Sequence, residues 1–300
     1  MINANDFDLN QHRGACEAYL CRSLGKHVHL IQASPLVKST REAPWRLDVD
    51  VNGVKRSYVL RLDARFGEHE FAVLQAMGSI SIPTPNAYGW DPHGDAFGAP
   101  CFFYDFIEGD SLLVPVLAGE PWAEQLYLDA VCALQSLTRQ QLPTLAGRLD
   151  DEVTAQGTLE KAHAYFKAHP HPLAETVYAQ LVESMPDFPP SRFSNGDLWL
   201  DNFIVRDRQL VGVIDFQHAG FSDPIYEFLL SFFVAPELRG RGIEERYCLR
   251  MGFDPDVLHW YHGLEYFDTF CYVISSGEAF VQYTAENLAK AMQAWLDDTT

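Results

Sequence analysis

Hydrophobic and polar residues alternate in three short segments of residues 27–62, a pattern typical of half-buried β-strands. The segments read HVHLIQAS, WRLDVDV and RSYVLRL. The dipeptide Asn52-Gly53 lies between the last two segments, and it readily adopts the positive φ angles of a tight hairpin turn. The pattern therefore predicts a three-stranded antiparallel meander.

The apolar spacing becomes helical over residues 67–77, where the apolar side chains fall on one helix face. Pro83 and Pro85 follow this segment and favour its end. Two strand-like pieces, NAYGW and CFFYDFI, come next. We predict a small β lobe that contains one helix and ends near residue 108.

Helical patterns dominate the rest of the chain. They cover residues 122–137, 158–168, 173–185 and, with few breaks, 225–296. Loop and short-strand sequence interrupts them at 193–216. The predicted fold class is α+β, with a small antiparallel β lobe at 1–108 and a larger, mainly helical lobe at 109–300.

Composition and charge narrow the class of partner. The 300 residues include 22 Lys and Arg against 41 Asp and Glu, a formal net charge of −19. Nucleic-acid affinity depends largely on basic side chains that neutralise phosphates, so this balance argues against a nucleic-acid partner and favours neutral or cationic small molecules. The cysteines form no C-x-x-C pair, MINANDFDLN lacks the blocks of a signal peptide, and no apolar run is long enough for a membrane. We expect a cytoplasmic protein without a membrane partner.

The segment 194–223, SNGDLWLDNFIVRDRQLVGVIDFQHAGFSD, contains the most informative polar residues. Asp197 and Asn202 have D-x-x-x-x-N spacing, and Asp215 follows an apolar run. Phosphoryl transfer needs an acid that orients the acceptor hydroxyl and hard oxygen ligands that hold Mg²⁺ on the phosphates. Asp197 suits the first role, whereas Asn202 and Asp215 suit the second, because the intervening strand would bring them to the same end of a sheet. The alternative is that these residues are ordinary turn formers of surface loops.

The strings NGDLWLDN and VGVIDFQHAGFSDP resemble the H-G-D-x-x-x-x-N … I-D-[FW]-x-x-A-x-x-x-D-P signature of the aminoglycoside phosphotransferase and choline kinase-like (phosphotransferase enzyme) family. The resemblance implies a protein-kinase-like, two-lobed fold. It also implies an ATP- and Mg²⁺-dependent enzyme that moves the γ-phosphate to a hydroxyl of an aminoglycoside-, choline- or sugar-amine-like molecule. Asp197 would be the catalytic base, and Asn202 and Asp215 would be the Mg²⁺ ligands.

The resemblance further implies a nucleotide site in the β lobe. Arg61, in RSYVLRL, stands where the family has a phosphate-anchoring base. Its expected ion-pair partner is Glu70, with Glu68 as the second candidate. The backbone at Asp105 and Ile107 would meet the adenine edge. An exposed charge on an edge strand is the alternative interpretation of Arg61.

Two departures from the family pattern favour an alternative function. Asn195 replaces the catalytic-loop His, and the turn 36–45, LVKSTREAPW, contains no glycine. Ser39 and Thr40 could donate hydroxyls to a phosphate instead, or the turn could stay open. The alternative is a nucleotide-binding kinase homologue with little or no transfer activity; the presence of all three of Asp197, Asn202 and Asp215 argues for catalysis.

The family's acceptor site is built largely by C-terminal helices. In WYHGLEYFDTFCY, a mixed aromatic and acidic set occurs at helical spacing: Tyr261, Glu265, Asp268 and Tyr272. Such a face suits a cation or a polyhydroxylated amine, but it equally suits a helix with its aromatics in the core and its acids in water. We interpret Asp223 and Glu227 as helix capping and loop bracing. The acceptor and the oligomeric state stay open.

Overall fold

The computed structural model describes residues 8–36, 44–62, 65–149 and 152–298. Ser39 and Thr40 of the glycine-free turn lie outside these ranges. The chain forms two compact units, each made of several segments. The first unit comprises Met1–Leu112, Arg139–Arg148 and Asp201–Ala219, and the second comprises Leu113–Thr138, Leu149–Leu200 and Gly220–Thr300. The lobe boundary between residues 108 and 109 stays a prediction.

A five-stranded antiparallel sheet forms most of the first unit, with the strand order β1-β2-β3-β5-β4. The strands are β1 (Val28–Pro35), β2 (Trp45–Val51), β3 (Val54–Leu62), β4 (Ala87–Asp91) and β5 (Cys101–Asp105). Asn52 and Gly53 have φ angles of 52° and 86°, so the β2–β3 hairpin has the turn that the sequence predicts. The predicted meander is confirmed, and β4 and β5 extend it.

Two helices accompany this sheet, α1 (Arg13–Leu24) and α2 (Gly67–Met77). Helix α2 matches the predicted segment. Helix α1 buries Tyr19 and Leu20 in a core that it shares with Leu47 and Val49 of β2. Because β2 alternates buried and half-buried residues, one face of the sheet belongs to this core and the opposite face stays open for other contacts.

A hairpin of β9 (Phe203–Arg206) and β10 (Gln209–Val213) completes the first unit, and β6 (Asp110–Ser111) pairs with β9. Gly109 lies so close to this hairpin that a Cβ atom there would approach the Val205 carbonyl oxygen to 2.6 Å. A Cβ atom at Gly212 would overlap the Ile107 side chain. The segment after β5 therefore lies directly against the hairpin because these positions are glycines.

The second unit is mainly helical. Its helices are α3 (Leu113–Leu117), α4 (Pro121–Gln135), α5 (Ala155–Ala168), α6 (Pro172–Glu183), α7 (Pro224–Val234), α8 (Ile243–Met251), α9 (Leu258–Ser276) and α10 (Ala285–Asp298). A small sheet joins β7 (Glu152–Val153), β11 (Gly220–Ser222) and β8 (Arg192–Ser194). Stacked aromatics such as Phe228 and Tyr247, with ring centroids 3.8 Å apart, fill the core. The predicted α+β class is confirmed, and among the described residues no helix has the length and apolarity needed to cross a membrane.

Candidate active site

Arg61 lies on β3 and forms a buried ion pair with α2. Its Nη2 atom lies 3.4 Å from Glu70 Oε2 and donates to Gln217 Oε1 at 3.0 Å. The Arg61 and Glu70 side chains are only 11% and 1% exposed, and β3 is an interior strand, so the edge-strand interpretation is wrong. Glu68, the second candidate, is exposed and pairs with Arg148 instead.

Asn202 and Asp215 lie at the same end of the β9–β10 hairpin. Asn202 immediately precedes β9, and its carbonyl accepts the backbone N–H of Ile214 at 3.0 Å. Asp215 directly follows Ile214. Its φ angle of 59° lies in the left-handed region, which is unfavourable for residues with a side chain. Such strain concentrates at functional positions. The structure thus brings these two predicted residues together.

Helix α2 is also attached to the segment that follows Asp215. His69 Nε2 lies 2.8 Å from the carbonyl oxygen of Ala219. The Phe66 and His218 rings contact edge to face at a centroid distance of 4.6 Å. The helix that provides Glu70 and the turn that provides Asp215 are therefore fixed to each other within the first unit.

A cavity of about 380 Å³ in the first unit, here called the central cavity, collects these groups. Its polar lining consists of Arg61, Tyr104, Asp105, Asn202 and Asp215, with backbone from Ile107. Val59 and Ile214 add apolar surface. Burial, with the nearby Glu70 carboxylate, raises the pKa of Tyr104 above its usual value, so its hydroxyl stays a neutral hydrogen-bonding group. The volume is within the range of ordinary small-molecule sites.

The chain segment after β5 offers backbone groups to this cavity. The N–H of Asp105 donates to the Asn86 carbonyl at 3.0 Å, and the N–H of Phe106 donates to the Ser57 carbonyl at 3.1 Å. Within the described ranges, the Ile107 N–H has no such backbone acceptor. The Ile107 N–H is consequently available to donate a backbone hydrogen bond to a ligand.

Asp197 belongs to the second unit, in the loop after β8. Asn195 is fully buried; its Nδ2 atom donates to the Asp197 carbonyl at 2.9 Å, and its Oδ1 atom accepts the Asp197 N–H at 3.4 Å. The Asp197 carboxylate accepts the Trp199 N–H at 3.3 Å. Asn195 therefore holds the backbone on both sides of the Asp197 side chain, although it lacks the ring of the family's His.

A second cavity, of about 260 Å³ and here called the acidic cavity, lies within the second unit. Glu227 of α7 and Glu265 and Asp268 of α9 bring three carboxylates to its wall, next to Gly196 of the loop after β8. Aromatic side chains complete it: Tyr226, Phe233, Tyr272 and Phe280. Of the four predicted acceptor-site residues, Tyr261 is not in the lining, because it is buried and donates to Asp223 at 2.7 Å.

The three carboxylates have different partners. Glu227 accepts from Ser194 Oγ at 3.4 Å, Asp268 from Tyr226 at 2.9 Å and Glu265 from Arg239 at 2.5 Å. Burial raises the pKa of Glu227 to about 7 and that of Glu265 to about 8. Burial also raises the pKa of Asp268 above its ordinary value. The acids of α9 are therefore not the water-exposed groups of the alternative interpretation.

The model of the phosphotransferase enzyme family matches residues 46–261. The chain belongs to the phosphotransferase enzyme family. This membership confirms the resemblance seen in the motifs. It also confirms the predicted enzyme class, a small-molecule phosphotransferase. No curated protein sequence matches the chain.

Solved structures of phosphotransferases share the fold. A Ralstonia eutropha protein described as a possible aminoglycoside phosphotransferase has 16% identity and a TM-score of 0.66, over 94% of this chain and 97% of its own. A thermostable aminoglycoside phosphotransferase APH(4)-Ia bound to AMP-PNP and hygromycin B has 17% identity and a TM-score of 0.67, over 95% and 99%. The GDP complex of aminoglycoside 2'-phosphotransferase-IIIa has 16% identity and a TM-score of 0.64, over 96% and 99%. These matches confirm the protein-kinase-like fold.

Within this phosphotransferase the sequence did not reveal the roles of Gln217 and Tyr226. Gln217 occupies a variable position of the family signature and Tyr226 lies two residues beyond its end, so no motif marks them. Asp223 caps α7 as predicted, accepting the N–H groups of Ile225 and Tyr226 at 3.0 Å. Glu227 braces Ser194 as predicted, and it additionally faces the acidic cavity. The sequence signal for Glu227 was its place one helical turn after the capping residue Asp223.

Proposed function

We propose that this phosphotransferase is an ATP- and Mg²⁺-dependent kinase that moves the γ-phosphate to a hydroxyl of a small molecule. The observation that best supports this proposal is the central cavity, which Arg61, Asn202 and Asp215 line together. The structural neighbours crystallised with AMP-PNP and hygromycin B or with GDP support a nucleotide and a small-molecule acceptor.

Arg61 would bind the nucleotide phosphates. A guanidinium donates to phosphate oxygens through a planar fork, and Glu70 and Gln217 hold this fork in position before the ligand arrives. The Asp105 carbonyl and the Ile107 N–H would receive the adenine edge. A pre-oriented cation loses little conformational entropy on binding, which favours affinity.

The donor set at the hairpin end fits Mg²⁺. Asn202 offers an amide oxygen and Asp215 a carboxylate, both hard oxygen ligands. Within the described residues, no cluster of three His, Cys, Asp or Glu side chains could hold a metal alone. Mg²⁺ is commonly bound by one or two protein groups together with substrate phosphates, and it would supply neutralisation of phosphate charge here.

Asp197 would orient the acceptor hydroxyl and receive its proton during in-line transfer. The hydrogen bonds of Asn195 to the Asp197 backbone support this role, because they fix the position of the backbone from which the carboxylate side chain extends. The surplus of carboxylates in the acidic cavity supports a cationic acceptor.

A thermal-shift titration with ATP, with and without Mg²⁺, tests the nucleotide site. Ligand that binds the folded state raises the midpoint by mass action. We expect a Mg²⁺-dependent rise that Asp215→Ala abolishes and Asp207→Ala, an exposed acid in the β9–β10 turn, retains. No rise in the unmodified protein, or an unchanged rise in Asp215→Ala, would contradict the proposal.

The catalytically weak homologue is the second candidate, and Asn195 in place of the family's His is the observation that favours it. Turnover decides between the two. ADP release that depends on an added hydroxyl compound supports the kinase. Mg²⁺-dependent ATP binding without transfer to any of a panel of aminoglycosides, amino alcohols and sugar amines supports the homologue.

A further inference from the structure

A further cavity of the first unit, here called the outer cavity, lies between α2, Trp90 of β4 and the segment Arg139–Arg148. Its volume is about 510 Å³. We propose that the outer cavity is an effector site for a neutral, planar aromatic molecule that carries a hydrogen-bond acceptor. Occupancy holds α2 where Glu70 pairs with Arg61 and thereby strengthens nucleotide binding. For this effect on the nucleotide, the inference rests on the proposed function.

The outer cavity and the nucleotide-binding groups lie on opposite sides of α2. The helix and the turn after it contribute six residues to the cavity wall: Glu68, Phe71, Ala72, Gln75, Ala76 and Ser79. At about 3.6 residues per turn, these positions surround the side of the helix opposite Glu70. Glu70 itself is buried against Arg61 of β3. A ligand in the outer cavity therefore contacts the helix that orients Arg61 without entering the central cavity.

Aromatic side chains in the wall suit a planar ligand. The Phe71 and Trp90 rings have centroids 6.1 Å apart and planes 23° apart. Both rings contact the buried Phe102, at centroid distances of 5.7 Å and 6.3 Å. Phe71 and Trp90 are themselves only half-buried, so each exposes ring surface. The rings of a ligand would cover this surface through the offset or edge contacts that aromatic groups prefer.

The polar groups of the wall favour a neutral ligand with an acceptor. Its charged residues are Glu68 and Arg148, and they pair with each other at 2.7 Å between Oε1 and Nη2. A charged ligand would have to compete with this pair. Within the described parts of the chain, the Trp90 Nε1–H has no hydrogen-bond acceptor. A carbonyl oxygen or ring nitrogen of the ligand can accept this hydrogen bond and orient the ring system.

Packed side chains connect the outer cavity to the central cavity. Phe102 of β5 pairs with Arg61 in the β3–β5 register, and its ring lies 5.8 Å from that of Tyr104, which lines the central cavity. Phe71 directly follows Glu70 in α2. A ligand on Phe71 therefore restrains both the helix and the strand that flank Arg61. By thermodynamic linkage, the aromatic ligand and the nucleotide then strengthen each other's binding by the same factor.

Nuclear magnetic resonance of nitrogen-15-labelled protein tests binding to the outer cavity. Each of the six Trp side chains gives an indole N–H signal, and the signal that Trp90→Phe removes belongs to Trp90. The probes are quinolin-2-one, which is planar, neutral and carries a carbonyl; octahydroquinolin-2-one, which is not aromatic; and quinoline-2-carboxylate, which is charged. We expect quinolin-2-one to shift the Trp90 signal and to bind more tightly than the other two. An unshifted Trp90 signal, or equal or tighter binding of either other probe, would overturn the inference.

Variants locate the binding. Ala72→Leu fills the cavity from a half-buried position of α2 and should abolish quinolin-2-one binding. Ala164→Leu, at an exposed position of α5, is the matched control and should bind normally. Trp90→Phe keeps an aromatic ring without the N–H group and should weaken binding about 3- to 10-fold. Unchanged affinity in both Ala72→Leu and Trp90→Phe would overturn the inference. Circular dichroism establishes that each variant is folded, and either variant decides the matter if the other does not fold.

Calorimetric titration with AMP-PNP and Mg²⁺ tests the effector role. With the outer cavity saturated by quinolin-2-one, AMP-PNP should bind about 5-fold more tightly or better, and Ala72→Leu should lose this effect. If AMP-PNP and Mg²⁺ do not bind the unmodified protein, the proposed function fails. If they bind but quinolin-2-one leaves their affinity unchanged or weaker, the effector site is wrong and the nucleotide site stands.

Discussion

Arg61 and Glu70 join β3 to α2 through a buried ion pair, with 3.4 Å between Nη2 and Oε2. Gln217 approaches the same guanidinium from the segment after Asp215. One side chain thereby links the sheet, the helix and the segment that provides Asp215. A change at Arg61 should thus affect stability as well as nucleotide binding.

Arg61→Ala should lower the free energy of unfolding by about 3 kcal/mol, because buried Glu70 loses its cation. Gln217→Ala removes one hydrogen bond to Arg61 and should cost about 1 kcal/mol. Urea unfolding at neutral pH measures both. Equal losses in the two variants would show that the ion pair adds nothing beyond an ordinary hydrogen bond.

Asp215→Gly should be more stable than Asp215→Ala by about 0.5–1 kcal/mol. Both variants remove the carboxylate, but only glycine adopts a φ angle of 59° without steric cost. Both should lose the Mg²⁺-dependent shift with ATP. Thermal and urea unfolding compare the pair, and an alanine variant as stable as the glycine variant would argue against strain at this residue.

Asn195→Ala should reduce kcat while the KM for ATP stays unchanged. The variant loses both hydrogen bonds to the Asp197 backbone and should also lose about 1–2 kcal/mol of stability. Steady-state kinetics separates these effects. A stability loss with unchanged kcat would mean that Asn195 supports the fold but does not position Asp197.

Asp197→Asn should lower kcat about 100-fold or more, because the amide cannot receive a proton from the acceptor. The amide oxygen can still accept the Trp199 N–H, so the loop and the ATP-induced thermal shift should persist. Asp201→Asn, a change at an exposed acid nearby, is the control. Retained turnover in Asp197→Asn would refute its assignment as the base.

Glu227→Gln should change how stability depends on pH. The pKa of Glu227 is raised to about 7 in the folded protein, above its value of 4.5 in an unfolded chain. The folded state therefore binds more protons between these values, and stability falls as pH rises through this window. Relative to Glu227→Gln, the unmodified protein should lose about 2–3 kcal/mol between about pH 4.5 and pH 7.5. Parallel stability curves for the two proteins would contradict the buried environment of this carboxylate.

Local patterns predicted much of the fold. Alternation around Asn52-Gly53 predicted the meander, and apolar spacing predicted α2, because both signals lie in a few neighbouring residues. Helix α1 was missed, since only Cys16, Tyr19 and Leu20 of its residues are buried and they give little periodicity. Strand β6, only two residues long, has no sequence signal of its own.

In the candidate site, too, features that depend on neighbouring residues could be predicted, whereas contacts between distant parts of the chain could not. The proximity of Asn202 and Asp215 followed from one hairpin, and the Arg61–Glu70 pair followed from adjacent elements. The contact of Arg61 with Gln217 joins distant parts of the chain, so no local pattern contains it. The partners of Glu265 and Asp268 likewise depend on how separate helices pack, which set their burial and their pKa values.

The first unit is not contiguous along the chain, and this affects the order of events during synthesis. Its strand β6 pairs Asp110 with Val205, and Val213 donates to the Pro83 carbonyl. The ribosome makes the β9–β10 hairpin only after Leu113–Thr138 and Leu149–Leu200 of the second unit, so these contacts cannot form before then. An N-terminal fragment ending after β6 would contain the whole five-stranded sheet but lack the hairpin that carries Asn202 and Asp215, so during translation β6 has to wait for its partner strand β9.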